Sequence, residues 1–288
     1  MLSSKQTKPT FKRALNMKHK NPYDRIKEMG KSLPATATAK IKLPKKWELL
    51  GDIVVLKMEK NEYEKEIGEI YGKVLHAKTV VVDESIEGTT RKPRIRIIYG
   101  NDPETVAKEN NLSYKMDVSK VMFSSGNKKE RMRMKEIVSP DERVLDMFAG
   151  IGYFSIPMGK KAEVYACEIN EDVYNYLKEN IRLNHVNVKP FLGDNREIVP
   201  RLSIKFTRIV MGYLRDTYDF LPCALSVLEK NGMVHYHEAL KEGKEHETIE
   251  RLSLIAEKHG RKIVKERMNR IKSIAPGIIH YVFDLKIN

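Results

Sequence analysis

Cysteine is almost absent from this chain: among 288 residues only Cys167 and Cys223 carry a thiol. Two sulfurs exclude a disulfide framework, a four-cysteine zinc site and a three-cysteine iron–sulfur site. Long apolar runs are missing as well. No stretch of about 18 apolar residues occurs and the N-terminus is basic and polar, so neither a membrane span nor a signal peptide is expected, and the setting implied is cytoplasmic. Acidic charge is in deficit, with 53 Lys and Arg against 39 Asp and Glu and a net charge of +14. Residues 1–40 supply +8 of it, leaving +6 for the rest. A basic excess spread this widely favours a polyanionic partner such as nucleic acid, because neutralising phosphates releases counterions. The competing reading is a merely soluble basic surface.

The text changes style twice along the chain. Residues 1–40, ending in SLPATATAK, are basic and poor in large apolar groups, and read as a partly helical arm. Residues 41–121 hold short β-rich runs (GDIVVLKM, TVVVDE, RIRIIYG) around one helical segment, NEYEKEIGEIYGKVL, as in a small α+β domain. Over residues 122–288 βα units alternate. VLDMFA leads into a helix from 153, EVYACE into DVYNYLKENIRLN, RIVMGY into DFLPCALSVLEK, and GMVHYHE into a long helix to about 259; VKPFLGD supplies a further strand. RKIVKERMNRIKSI, a Pro276-Gly277 turn and IIHYVFDLKI close the chain as a hairpin. Such alternation implies an α/β fold with a mostly parallel, doubly wound sheet and an antiparallel C-terminal strand.

Chemistry in such a sheet sits at the carboxyl ends of the strands. In DMFAGIGYFS, Gly150 and Gly152 follow the first strand and open a helix, which lets a ligand approach the backbone closely. A lone G-x-G is a weak signal, but Ser155 stands where a dinucleotide fingerprint wants its third glycine. Asp146 ends the strand four residues before Gly150. A carboxylate there is badly placed for a pyrophosphate and well placed for the ammonium and sulfonium of S-adenosylmethionine. Glu168 ends the second strand, where it can accept both ribose hydroxyls, and Asp194 and Asn195 follow the third, where they can meet adenine with an acceptor and a donor. Singly, each of these is as well explained as a helix N-cap or turn former. Three strand ends in succession, each with the right polar group, favour S-adenosylmethionine over NAD.

The stretches DVSKVMFSSGNKKERMRM, VLDMFAGIGYFSIP, VYACEIN, YLKENIRLN, LGDNRE and GMVHYHE resemble the tRNA position-37 modification enzymes of archaea and eukaryotes. That group holds the guanine N1-methyltransferases and the wybutosine-pathway enzymes that transfer a 3-amino-3-carboxypropyl group. The resemblance runs from about residue 50 to the C-terminus and includes GTTRKPRIRIIYG. It implies a Rossmann-type, class I methyltransferase-like fold, S-adenosylmethionine as co-substrate with no metal, and tRNA as partner, at the anticodon region of tRNA(Phe); a monomer is the simpler expectation for an enzyme with its own RNA-binding domain. The cofactor set it implies is Ser124, Arg131, Asp146, Phe148, Gly150, Gly152, Glu168, Ile169, Asp194, Asn195, Met211 and Gly212, with no catalytic base assigned.

Two departures divide the relatives. The methyltransferases resemble one another in an Asn-x-Pro loop after the fourth strand, where this chain has Met211, Gly212 and Tyr213, and in a Ser-Pro-Arg stretch, where it has Ser124, Ser125 and Gly126. Both are similar to the aminocarboxypropyl transferases. A pocket of that kind must hold the amino-acid tail of the co-substrate toward the base, and Ser124 and Arg131 are the candidates to grip it, since a guanidinium fork suits a carboxylate. The alternative for Arg131 is a solvated helix face. The expectation is transfer to 4-demethylwyosine at position 37. N1-methylation of guanosine, a tRNA-binding protein with a degenerate site, and a dehydrogenase stay open behind it. His235 and His237 share a strand face without an identifiable third metal ligand. Lys262, Lys265, Arg267, Arg270 and Lys272 suit either tRNA phosphates or a charged protective edge.

Overall fold

A computed structural model describes residues 21–33, 42–87, 92–122 and 125–288, and divides the chain into two units, residues 1–107 with 117–119 and residues 108–116 with 120–288. The divide falls in a hairpin, β5 (Glu104–Glu109) and β6 (Leu112–Asp117), turned by Asn110 and Asn111, both at positive φ as a two-residue hairpin turn requires.

In the first unit four strands pair in the order β1-β2-β3-β4: β1 (Trp47–Leu50), β2 (Ile53–Leu56), β3 (Thr79–Glu87) and β4 (Lys92–Tyr99). Strands β2 and β3 are parallel, so a crossover must join them. Helix α2 (Glu64–Leu75) is that crossover and turns Ile67, Ile70, Tyr71 and Val74 inward at helical spacing. It lies close on the sheet because Gly68 and Gly72 lack side chains. A Cβ at either would stand 2.5 Å from the Ile98 carbonyl oxygen or 2.4 Å from the Tyr99 ring. Helix α1 (Pro22–Gly30) belongs here too, capped by Asn21, with Ile26 buried among Val54, Ile67 and Tyr71. That part of the stretch read as an arm is core; residues 1–20 and 34–41 lie outside the described residues.

In the second unit seven strands run in the order β12-β13-β11-β10-β7-β8-β9. They are β7 (Arg143–Asp146), β8 (Glu163–Glu168), β9 (Val188–Leu192), β10 (Phe206–Met211), β11 (Leu228–Lys241), β12 (Ile263–Ala275) and β13 (Ile278–Ile287). The first five are parallel, and β13 runs antiparallel to both β11 and β12, so β13 is the one antiparallel strand of the hairpin, as expected, and β12 at the edge runs in the direction of the other five. The order reverses at β7, which pairs with β8 on one side and β10 on the other. That switch point opens the crevice where ligands bind in such sheets. Helices α3 (Lys128–Ile137), α4 (Ser155–Met158), α5 (Glu171–Asn184), α6 (Asn195–Arg201), α7 (Leu221–Val227) and α8 (Glu245–Lys258) complete the unit, with apolar clusters built on Phe206, Ile209, Tyr236 and Phe283 and on Met134, Val164, Leu177 and Val210.

The expected helix from 153 shrinks to Ser155–Met158, and the helix ending in LEK stops at Val227 because β11 already begins at Leu228. On α5, Asn180 and Asn184 lie one turn apart and face β6. Asn184 Oδ1 accepts from the Ser113 amide at 2.9 Å and Asn180 Oδ1 from the Lys115 amide at 2.7 Å, while their Nδ2 groups donate back to Ser113 and Lys115 carbonyls. Two amides thus satisfy backbone groups that a neighbouring strand would otherwise take.

Candidate functional site

Ten of the twelve expected site residues meet at the carboxyl ends of four adjacent strands. At the end of β7, Asp146 is 0 % exposed. Its Oδ2 accepts from Ser155 Oγ at 2.6 Å and its Oδ1 from the Phe148 amide at 3.3 Å, so it ties the start of α4 to the strand end. Burial pushes its carboxyl up to about 6, against the pull of those two bonds. Its part in a site runs through the loop it shapes. That loop needs its glycines: Gly150 and Gly152 have φ of 58° and 100°, and a Cβ on Gly152 would stand 2.5 Å from Ile156.

Glu168 ends β8 and bridges two loops. Its Oε2 accepts from the Gly150 amide at 2.9 Å and its Oε1 from the Asn170 amide at 2.8 Å, and burial raises its carboxyl above the ordinary value. Beyond β9, Gly193 at φ 134° is followed by Asp194, which caps α6 through the Arg196 amide and is forked by the Arg196 side chain. Asn195 is buried; its Nδ2 donates to the Met147 carbonyl at 2.8 Å, while its Oδ1 has no hydrogen-bond partner among the described residues. Nearby, two large apolar residues face outward at neighbouring strand ends, Ile169 at 60 % and Leu192 at 43 % exposure. An orphaned acceptor beside apolar walls fits a flat, polar-edged ring such as adenine.

The loop after β10 closes the other side. Met211 is wholly buried and forms the floor. Gly212 leaves room for Phe154, whose ring would stand 3.1 Å from a Cβ there. Tyr213 stacks on Phe148 with centroids 5.2 Å apart and planes at 20°, and Phe220 meets Phe148 edge-on at 4.9 Å. Thr217 Oγ1 donates to the Tyr213 carbonyl at 2.6 Å and pins the loop. Sequence reading missed this stack. Its signal is a matched spacing, since Phe148 and Tyr213 each stand two residues beyond the end of adjacent strands.

Arg131 lies on α3, 2 % exposed rather than solvated. Its Nη1 donates to both carboxylate oxygens of Glu109 at 3.0 Å, and its guanidinium lies 4.5 Å from the Tyr153 ring centroid, within the glycine loop. Tyr153 donates in turn to the Met122 carbonyl at 2.7 Å. The guanidinium expected to grip a ligand carboxylate is thus held by one of the protein's own. Ser124, the other expected grip, lies outside the described residues.

The histidines of β11 are structural neighbours of the site. His235 Nε2 accepts from Arg208 and its Nδ1 lies 2.5 Å from Asp284, which Arg133 also clamps at 2.7 Å. Burial keeps His235 below its usual pKa; for Asp284 burial pulls upward, but His235 and Arg133 prevail and hold it well below the carboxylate range. His237 Nδ1 lies 3.1 Å from His280 Nε2, and burial holds both rings neutral, His280 down to about 4. Among the described residues no group of three or more metal-ligating side chains occurs.

Residues 105–264 match the family model of the TRM5/TYW2 methyltransferase domain and residues 27–103 that of the TYW2 N-terminal domain. The chain belongs to the TRM5/TYW2 family. It is 42 % identical to a tRNA(Phe) (4-demethylwyosine(37)-C(7)) aminocarboxypropyltransferase of Methanocaldococcus jannaschii, over 84 % of this chain and 97 % of that protein. It is 38 % identical to a tRNA (guanine(37)-N(1))-methyltransferase Trm5b of Pyrococcus abyssi, over 85 % of this chain and 76 % of that one. The crystal structure of M. jannaschii TYW2 in complex with AdoMet superposes with a TM-score of 0.69 at 37 % identity, covering 84 % of this chain and 99 % of that one. The α/β sheet with its methyltransferase-type strand order agrees with the fold expected from the sequence.

Proposed function

We propose that the protein is a transferase that moves the 3-amino-3-carboxypropyl group of S-adenosylmethionine onto 4-demethylwyosine in tRNA. The observation that carries this is the match of residues 27–103 to the TYW2 N-terminal domain, coupled to a catalytic unit that resembles a named aminocarboxypropyltransferase along nearly its whole length. The strand-end residues fit the co-substrate. Glu168 suits the ribose hydroxyls, Asn195 Oδ1 is an acceptor awaiting an amine donor, Ile169 and Leu192 offer apolar walls, and the Phe148–Tyr213 stack bounds the crevice. When bound, S-adenosylmethionine supplies a sulfonium with three carbon substituents, each open to displacement by an in-line nucleophile. The residues of this chain orient it, exclude water behind the aromatic stack and hold the loops by buried bonds. The reading extends to position 37 of tRNA(Phe) as the target, to a monomer and to the cytoplasm. The net charge of +14 supports a tRNA partner.

Guanosine N1-methylation is the second reading, favoured by the resemblance to Trm5b. Isotope transfer separates the two. With S-adenosylmethionine labelled at the carboxyl carbon, tRNA carrying demethylwyosine should gain label; with the methyl carbon labelled it should gain none. The reverse pattern would overturn the proposal.

A further inference from the structure

The part of the β5–β6 hairpin that belongs to the second unit, residues 108–116, reaches the glycine loop through two struts. One is Asn180 on α5, whose Nδ2 donates both to the Lys115 carbonyl of β6 and to the Ile151 carbonyl of the loop, each at 3.1 Å. The other starts at Glu109 on β5. Glu109 and Arg131 are both buried, and the guanidinium whose Nη1 donates to the two Glu109 oxygens also lies over the Tyr153 ring. Tyr114 of β6 packs beside the same ring, with centroids 6.1 Å apart and planes at 30°.

Tyr153 in turn covers Gly150. A Cβ built on Gly150 would stand 3.2 Å and 3.4 Å from two carbons of the ring, so the ring lies against the backbone that Gly150 turns at φ 58°. The Gly150 amide is one of the two that donate to Glu168. Contact is therefore continuous from Glu109 through Arg131, Tyr153 and Gly150 to Glu168. Stability does not account for the ion pair at its head. Two well-packed apolar side chains of similar volume would stabilise as much or more, because both ions lose their hydration on burial. What the pair supplies is direction: a guanidinium held by a carboxylate keeps one position over the ring, where a flexible apolar chain would not.

We infer that Glu109 is a positioning residue for S-adenosylmethionine, acting from the hairpin on the glycine loop: it fixes Arg131, Arg131 fixes the Tyr153 ring, and the ring holds Gly150 where its amide meets Glu168. The inference rests on the transferase reading above. Glu109 touches neither co-substrate nor acceptor base in this scheme. Its effect is on how well the loop is pre-formed before the co-substrate arrives, and a loop that must be ordered on binding binds more weakly.

Calorimetric titration of the full chain with S-adenosylmethionine tests this in a double-mutant cycle. Glu109→Gln should weaken binding about tenfold, Tyr153→Leu should do the same, and the two together should do no more than either alone, because both act along one path. In steady-state transfer the loss should fall on KM for S-adenosylmethionine and leave kcat unchanged. Glu142→Gln breaks the pair with Arg208, whose other partners are His235 and Ile137 and not the loop, and should leave the affinity at the parent's value. That control separates positioning from a general loss of stability. Glu109→Leu with Arg131→Met leaves no charge buried alone, so it serves if Glu109→Gln does not fold, and should show the same loss. Effects that multiply to about a hundredfold when either Glu109 variant is combined with Tyr153→Leu overturn the inference, as does unchanged affinity in the Glu109 variants or an equal loss with Glu142→Gln. Tighter binding by Glu109→Gln also overturns it, since Glu109 would then be competing with the ligand's carboxylate for Arg131. If the unsubstituted protein did not bind S-adenosylmethionine, the transferase reading would fall and this inference with it.

Discussion

Replacing Asp146 by asparagine should make stability less dependent on pH, and the structure sets the size of the effect. The carboxyl is fully buried, and its folded pKa of about 6 stands above an ordinary value of 3.8. At low pH both folded and unfolded states hold the proton. As pH rises the unfolded chain releases it first, so the folded state loses ground from about pH 4 until the buried group also ionises near pH 6. A shift of about two units corresponds to about 3 kcal/mol. Asparagine keeps an acceptor for the Phe148 amide and a partner for Ser155, so the variant retains the loop without the cost of ionisation. Its stability relative to the unsubstituted protein should therefore climb by about 3 kcal/mol between about pH 4 and about pH 7. The assay is urea denaturation followed by circular dichroism at several pH values. Fluorescence would report the wrong region, because Trp47 sits in the other unit. A difference between the two proteins that stays flat or narrows with pH would refute the reasoning.

Three further outcomes follow from the geometry. Glu168→Gln leaves one of two backbone amides, Gly150 or Asn170, facing an NH2 group, and should lower S-adenosylmethionine affinity about tenfold by calorimetry; unchanged affinity would remove Glu168 from the ribose site. Asn180→Ala strips the Lys115 backbone of both its side-chain bonds and should destabilise the second unit by about 2 kcal/mol, with faster hydrogen exchange at the Lys115 amide; protection equal to the parent's would contradict the strand-mimic role. Tyr213→Ala removes the stack on Phe148, a contact of about 1 kcal/mol beyond its buried area, and should raise KM for S-adenosylmethionine several-fold, with Tyr213→Phe close to the parent. Equal damage from both substitutions would mean that the hydroxyl, not the ring, matters.

The parts of this molecule that local sequence announces are the parts that local physics determines. Gly150 and Gly152 were legible because only glycine takes their backbone conformations at no cost, and Asp146, Glu168 and Asn195 because strand ends place them at fixed spacings. What escaped was long-range. Arg131 looks in the sequence like one more cation in KKERMRMKE, and only the β5–β6 hairpin, bringing Glu109 to it, turns it into a buried ion pair. Helix α1 was hidden for a different reason. The basic excess of the residues around it suggests an arm, yet the helix itself balances Arg25 and Lys27 with Asp24 and Glu28, and Tyr23, Ile26 and Met29 recur every three residues and all join the core. The same spacing logic that found α2 would have found it.

The central claim concerns which carbon leaves the sulfonium, so the most direct measurement is of the small molecule released. The protein is mixed with S-adenosylmethionine and either tRNA carrying demethylwyosine or tRNA carrying unmodified guanosine at the same position, and the nucleoside product is read by mass spectrometry. The account predicts 5′-methylthioadenosine with the first tRNA and no product with the second. S-adenosylhomocysteine appearing with the guanosine tRNA would contradict it and make the protein a methyltransferase whose Met211–Gly212–Tyr213 loop serves another end.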